Sequence, residues 1–248
     1  MINIISVTTK KQLRAFIDFP HDLYEGDPYY VPELYISQRD LLNPNKHPFH
    51  KHAKVHYFLA LNDNKVVGRL SAHINYSHNE YYKNKEGFFG FFDCINDREV
   101  AYNLFKTAEN WLKDEGMDTI VGPANFSTNE SVGLLIDGYD RSPVVMMPYN
   151  YPYYQELIEH YGFQKKIDLF AYWLEAEPIS NKILDIGKKT EERLKNNGFT
   201  IRNIRFRTHF KEEVEKVYEI YNKAWSKNDG FVPMTREEFF YSAKERED

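Results

Sequence analysis

Cysteine is nearly missing from this sequence: Cys94 is the only one in 248 residues. No intrachain disulfide can form, and a metal site built from several cysteines is excluded. Cys94 itself is expected as a small buried hydrophobe on a strand. Long apolar runs are missing as well. None approaches the roughly 20 residues a spanning helix needs, and the apolar part of MINIISVTTKKQ is too short for a signal-peptide core. A cytoplasmic protein is the expectation. There is little excess charge, with 32 Lys and Arg against 37 Asp and Glu for a formal net charge of -5. Such a balance gives no broad attraction to phosphate backbones or anionic lipid, so neither nucleic acid nor membrane is an expected partner. Between Gly90 and Gly116 there is no glycine, which removes the residue that lets a backbone approach a phosphate closely. Finally, no acidic residue is interleaved among His47, His50, His52 and His56. They read as a solvated, mildly basic loop, and no metal is expected.

Aromatic residues are abundant, with 19 Tyr and 18 Phe. A buried tyrosine hydroxyl needs a partner, so the core should carry polar seams or a ligand groove. At roughly 150 residues per domain, the length suits one or two domains.

The pattern runs strand (residues 2–7), helix capped by Thr8 or Thr9, and a second helix opened by Pro32. A hairpin follows, with strands over 55–61 and 65–76 joined at Asn62-Asp63-Asn64. GFFGFFDCI (87–95) reads as a central strand. Asn96 and Glu99 suggest a capping box for a helix that carries Val100, Ala101, Leu104, Phe105, Ala108 and Leu112 and stops at Gly116. The next strand is 119–121. Further on, the pattern predicts a short helix over 132–136, a strand at 144–147, a helix from Pro152 to Tyr161 stopped by Gly162, and a strand over 167–174. Glu177-Pro178 breaks the pattern before a charged helix over 181–195. A strand at 200–206 and helices around 214–225 and from 235 then repeat the opening order.

Strand, helix and strand around residues 87–121 form a parallel crossover, which places the loops after both strands at one sheet end, where ligands bind in such sheets. Asn125, Ser127, Thr128, Asn129 and Glu130 occupy one of those loops. Glu130 fits either a general base raised by apolar neighbours or a cap partner in Ser127-x-x-Glu130. Tyr149, Asn150, Tyr153 and Tyr154 are candidates for catalysis, or for a helix cap and core aromatics. Arg69 fits either a contact to an anionic substrate or a partly exposed strand arginine that needs no such role.

The strings FPHDLYEGDPYYVPEL, NPNKHPFHKHAKVHYFLAL, VVGRLSAHIN, GFFGFFDC, GPANFSTNESVGLLIDGYD and MMPYNYPYYQELIEHYGF resemble the GNAT superfamily of acyl-CoA N-acyltransferases, and within it the two-module YghO-like bacterial proteins. They cover most of residues 18–175. The resemblance implies an α/β fold, a GNAT-like mixed central sheet flanked by helices, over residues 1–175. It also implies a helical connector over 176–199 and the start of a second, apparently truncated GNAT-like module over 200–248. It implies transfer of an acyl group from acetyl-CoA or another acyl-CoA to an amine on a small molecule. Phe92, Asp93, Cys94 and Asn96 would flank the thioester. From their places in the pattern, Asn125, Ser127, Thr128, Asn129, Tyr149 and Asn150 are the candidates for binding the acceptor, Glu130 or a water relay for the base, and Tyr154 for the acid. Two family patterns are altered. The Q/R-x-x-G-x-G/A loop reads CINDREVAYNLF. In N-x6-Y-x3-G-F, the tyrosine position counted back from Gly162-Phe163 is Ile158, with Tyr153, Tyr154 and Tyr161 nearby. The alternative is a non-catalytic recognition or structural half whose CoA site lies on the second module.

Overall fold

The computed structural model describes residues 1–175, 180–228 and 230–245. The chain falls into two compact units, residues 1–166 with 224–248, and residues 167–223.

In the first unit β1 (Ile2–Ser6), β2 (Ala53–Asn62), β3 (Lys65–Asn75), β4 (Glu86–Cys94) and β5 (Thr119–Val121) lie side by side in chain order. The first four are antiparallel neighbours, and β5 is parallel to β4. Asp63 and Asn64 make the β2–β3 turn at φ 48° and 67°, the left-handed pair that suits the twist of a two-residue hairpin.

Helix α1 (Lys10–Leu23) starts at Thr9, which exchanges side-chain hydrogen bonds with Gln12 in a capping box. With α2 (Tyr35–Leu41) and a 3-10 turn at Pro48–Lys51 it covers one sheet face. Phe16, Ile17, Leu42, Phe49, Leu59, Phe91 and Phe126 form the core there. A short α3 (Tyr76–Tyr82) follows β3. The other face is covered by α4 (Arg98–Asp114), whose Val100, Leu104, Phe105, Ala108 and Leu112 form the predicted apolar stripe, and by α5 (Tyr153–Tyr161). The two layers also meet past the end of β4, where Leu23 packs into the α4–α5 core and the Tyr24 hydroxyl bonds that of Tyr154. This is the α/β layering and mixed sheet that the resemblance implies.

The second unit contains α6 (Asn181–Asn196), capped by Ser180, and α7 (Phe206–Ala224), kinked at His209. Arg202 forks onto the Glu213 carboxylate at 2.9–3.1 Å. Helix α8 (Arg236–Glu245) returns to the first unit.

Three expected strands are not formed. Val144–Met147 is a turn, with Met146 at φ 68° and the Met147 N–H donating to the Val144 carbonyl at 3.0 Å, and no strand lies beside it among the described residues. Residues 167–174 and 200–205 have no regular secondary structure and pair with no strand among the described residues. Their side chains stay in solvent, Leu174 and Phe170 among them. Apolar β-patterning makes a strand only where a neighbour supplies the ladder. The expected helix at 132–136 is irregular chain held by an Ala124–Val132 bridge. The break expected at Glu177-Pro178 lies outside the described residues.

Candidate active site

The geometry begins with an irregularity in β4. Its register against β3 shifts between Arg69 and Ser71, and Phe91 takes a left-handed φ of 47°. This is a β-bulge, which bends the strand and re-aims the residues after it. Past Phe88, the last residue paired with β5, the two parallel strands separate. The chain after β5 crosses β4 instead: the Ala124 N–H donates to the Phe89 carbonyl at 2.8 Å, and Asn125 Oδ1 accepts from the Phe91 N–H at 2.8 Å. Only glycine fits at position 90, since a Cβ there would stand 1.9 Å from the Ala124 carbonyl oxygen. Beyond this point β4 keeps its pairing with β3 through Asp93 and Cys94 but no longer pairs with β5.

Asp93 is the centre of a buried polar network. Its Oδ2 accepts from Arg69 Nε at 2.7 Å, and Arg69 also donates to the Phe16 carbonyl at 2.8 Å. Its Oδ1 lies 3.2 Å from the Tyr24 hydroxyl and 3.3 Å from that of Tyr154. Those two hydroxyls are 3.0 Å apart. Tyr154 Oη accepts the Cys94 N–H at 3.0 Å, while the Tyr153 hydroxyl donates to the Cys94 carbonyl at 2.7 Å. Both backbone groups of the last β4 residue are thus held by the first turn of α5. Arg69, Asp93, Tyr24 and Tyr154 are all under 8% exposed. A carboxylate so placed is tolerable only with its cation and hydrogen bonds. Arg69 is therefore not the partly exposed arginine expected from its strand: its charge is matched across the β3–β4 pair. Burial first, and then the negative charge of Asp93, pushes both tyrosine hydroxyls well above their ordinary range. They stay protonated and can donate to a developing anion.

A second ring of aromatics surrounds the network. Tyr30 stacks on Tyr24 at 4.5 Å, and Tyr149 and Tyr151 approach it at 5.6 and 4.8 Å. Tyr149 donates to Asp27 at 2.8–2.9 Å, joining the α1–α2 connection to the loop before α5.

The start of α4 is unlike a phosphate cradle. Its N-cap is Asp97, not Asn96, because the Asp97 carboxylate accepts from the Glu99 and Val100 N–H groups at 2.8 and 3.2 Å. The amides that would meet a pyrophosphate are occupied by a fixed anion, and Glu99 adds a second one. The residues present do not fit the pyrophosphate of CoA at this helix end.

With this geometry in place, likeness to known proteins can be assessed. No family model matches the chain. It is 39% identical over 235 residues to Protein YghO of Escherichia coli K12, covering 93% of this chain and 58% of that protein. It is 35% identical over 244 residues to the Bacterial ceramide synthase of Caulobacter vibrioides, covering 98% of this chain and 62% of that protein. The chain is similar in sequence to both of these proteins over nearly its whole length. It spans about three fifths of the length of these relatives. Among solved structures, an aminoglycoside acetyltransferase from an uncultured soil metagenomic sample, in complex with trehalose, is 15% identical at a TM-score of 0.43, covering 70% of this chain and 97% of that one. A predicted acetyltransferase with acetyl-CoA from Clostridium acetobutylicum is 12% identical at a TM-score of 0.42, covering 71% and 96%. With both TM-scores under 0.5, nothing about the chemistry follows from them.

In this chain the sequence-predicted residues divide. Asp93, Cys94, Tyr149 and Tyr154 come together at the end of β4. Phe92 packs on the other side, against Phe105 and the Tyr154 ring. Asn96 precedes the cap. Asn125 is spent on β4, and buried Asn150 clamps Leu135, accepting its N–H at 2.8 Å and donating to its carbonyl at 3.1 Å. Thr128 donates to the Gly230 carbonyl at 3.4 Å, and Ser127 Oγ accepts the Asn129 N–H at 3.2 Å. Glu130 does not share a site with Tyr154; it faces His47 Nε2 at 3.8 Å. Sequence reasoning missed Tyr24, Asp27 and Tyr30, for which the tyrosine-dense FPHDLYEGDPYY was the available signal.

The histidine segment is not a solvated loop. His47, His50 and His73 surround Phe126 at 5.2–6.4 Å, and Phe126 is stacked on Phe49. His56 stands apart on β2, bonded to Ser6. No group of three or more possible metal ligands occurs among the described residues. Burial, reinforced by His50, brings His47 down to about 4, so at neutral pH it meets Glu130 as an uncharged ring. His52 goes the other way. Burial lowers it, but the 2.9 Å bond to Glu238 on α8 more than offsets this and raises it. A raised histidine gives stability that is complete below 6.5 and lost as pH rises through its folded value. Attachment of α8 should therefore weaken above neutrality. Proteolytic cleavage around α8 is expected to accelerate from about pH 6 to pH 8.5, after correction for protease activity, and His52→Gln should flatten that dependence.

Proposed function

We propose that the chain forms the acyl-transfer part of an N-acyltransferase that moves an acyl group from an acyl-CoA thioester to a primary amine, the amine being that of a long-chain amino alcohol. The observation that carries this reading is the buried Asp93–Tyr24–Tyr154 network at the end of β4, where its pairing with β5 has ended. The similarity to a ceramide synthase over nearly the whole chain supports the amine class.

In this reading the amine nitrogen attacks the thioester carbonyl carbon. The carbon–nitrogen bond forms, the carbon–sulfur bond breaks, the nitrogen gives up a proton and the thiolate takes one. Tyr154 supplies the proton to sulfur. Tyr24, 3.0 Å away, reprotonates it and recovers its own proton from solvent, while Asp93 with Arg69 fixes both hydroxyls. On binding, the Cys94 N–H would exchange its present acceptor, Tyr154 Oη, for the thioester carbonyl. The amine gives its proton to solvent, Glu130 lying with His47 apart from the Asp93–Tyr24–Tyr154 site. The capped start of α4 leaves the nucleotide end of the donor outside this module's grip, so the thioester end is what the site recognises.

The test is to incubate the intact protein with palmitoyl-CoA and a panel of amines, following free thiol and amide by mass spectrometry. An amide with long-chain 2-amino alcohols and little with small hydrophilic amines is expected. Thiol release unaffected by any amine would sink the proposal.

A further inference from the structure

The tyrosine cluster has apolar, solvent-facing segments on both flanks. Residues 142–155 (SPVVMMPYNYPYYQ) carry no charge, and 28–38 (PYYVPELYISQ) only Glu33, in a chain that is 28% charged. Val144, Val145, Leu34 and Ile36 are 64%, 91%, 69% and 68% exposed. The two segments leave a common junction, where Tyr149 bonds Asp27 at 2.8 Å and its ring lies 6.1 Å from that of Tyr30. That junction is the outer wall of the network around Asp93, because Tyr24 touches both rings. Exposed apolar side chains gathered at a site entrance mark an interaction surface.

We propose that these two segments rest in the surface of a lipid bilayer and that the site draws a long-chain substrate from it. This rests on the amine class proposed above. No helix among the described residues is long and apolar enough to cross a membrane, so the contact is peripheral. Aliphatic tips with tyrosines behind them match the layering of an interface, apolar in the acyl region and aromatic at the headgroups. Acidic residues nearby, Glu33, Asp137 and Asp140, offset Arg39 and Arg141, which favours neutral phosphatidylcholine held by apolar insertion. The low net charge bears on anionic lipid and leaves this mode open.

The test is co-sedimentation of the intact protein with sucrose-loaded phosphatidylcholine vesicles, without donor or amine. Binding is expected, insensitive to salt up to about 0.5 M and not improved by anionic lipid. The combined I36D/V144D/V145D variant should lose at least about tenfold in partitioning while keeping its far-UV spectrum and melting temperature. An exposed-surface control, Lys65→Asp, should bind as the parent does. The inference is overturned if the parent stays in the supernatant, if the triple variant binds equally well, or if light scattering finds a dimer that the triple variant dissolves, assigning the surface to a second copy. Vesicle binding without amide formation would defeat only the proposed reaction. Amide formation from detergent-dispersed amine without vesicle binding would defeat only this inference.

Discussion

Replacing Arg69 by Met is expected to lower the unfolding free energy by about 3–5 kcal/mol, because it removes the cation from a buried carboxylate. Asp93 is 7% exposed, and its 2.7 Å bond to Arg69 Nε is the contact that balances its charge. The Phe16 carbonyl loses its donor in the same step. In the variant Asp93 must take up a proton or draw water into the end of β4, and either outcome disturbs the tyrosine hydroxyls that lean on it. Urea unfolding followed by circular dichroism measures the loss. R69M/D93L, which removes both charges, should recover most of it, since a buried ion pair is worth little against an apolar pair of similar shape. A single variant within about 1 kcal/mol of the parent would mean that Asp93 finds another partner.

The second large effect is on rate. Tyr154→Phe keeps the ring that packs on Phe92 and deletes the hydroxyl that joins Cys94, Tyr24 and Asp93. Loss of a positioned proton donor costs about 10²–10⁴-fold, so kcat for amide formation should fall by about 10²-fold or more, with KM for the acyl donor little changed. The stability cost should be only about 1–2 kcal/mol, the buried Cys94 N–H losing its acceptor. Tyr24→Phe leaves the donor in place and removes only its resupply, so its rate should fall less. If the tyrosines serve only to pack, both variants should lose stability and retain kcat.

Local patterning carried far in this chain. The α4 stripe, the two-residue hairpin, the Thr9 cap and the β4–α4–β5 crossover were legible because each depends on residues close in sequence. Segments 144–147, 167–174 and 200–206 misled for one reason: their apolar patterns promise a strand, but a strand needs a neighbour, and these have none among the described residues. In the candidate site, Asp93, Cys94 and Tyr154 could be read from the end of a central strand and the start of a helix. Arg69 and Tyr24 could not, because their roles come from partners 24 and 69 residues away. The bulge at Phe91 that re-aims Asp93 leaves no mark in GFFGFFDC beyond Gly90. The histidine segment misled in the opposite sense: polar residues around Phe49 read as solvent-facing, whereas the Phe49–Phe126 stack draws them inward. The strand expected to open a second module at 200–206 is not formed among the described residues.

The account turns on where the thioester sits, and a crystal structure of the intact protein with a non-reactive thioether analogue of the acyl-CoA decides it. Expected is the sulfur within hydrogen-bonding distance of Tyr154 Oη and the acyl carbonyl directed at the Cys94 N–H, with the nucleotide end clear of Asp97. An analogue bound elsewhere, with the Tyr154–Cys94 and Tyr154–Asp93 contacts unchanged, would contradict it.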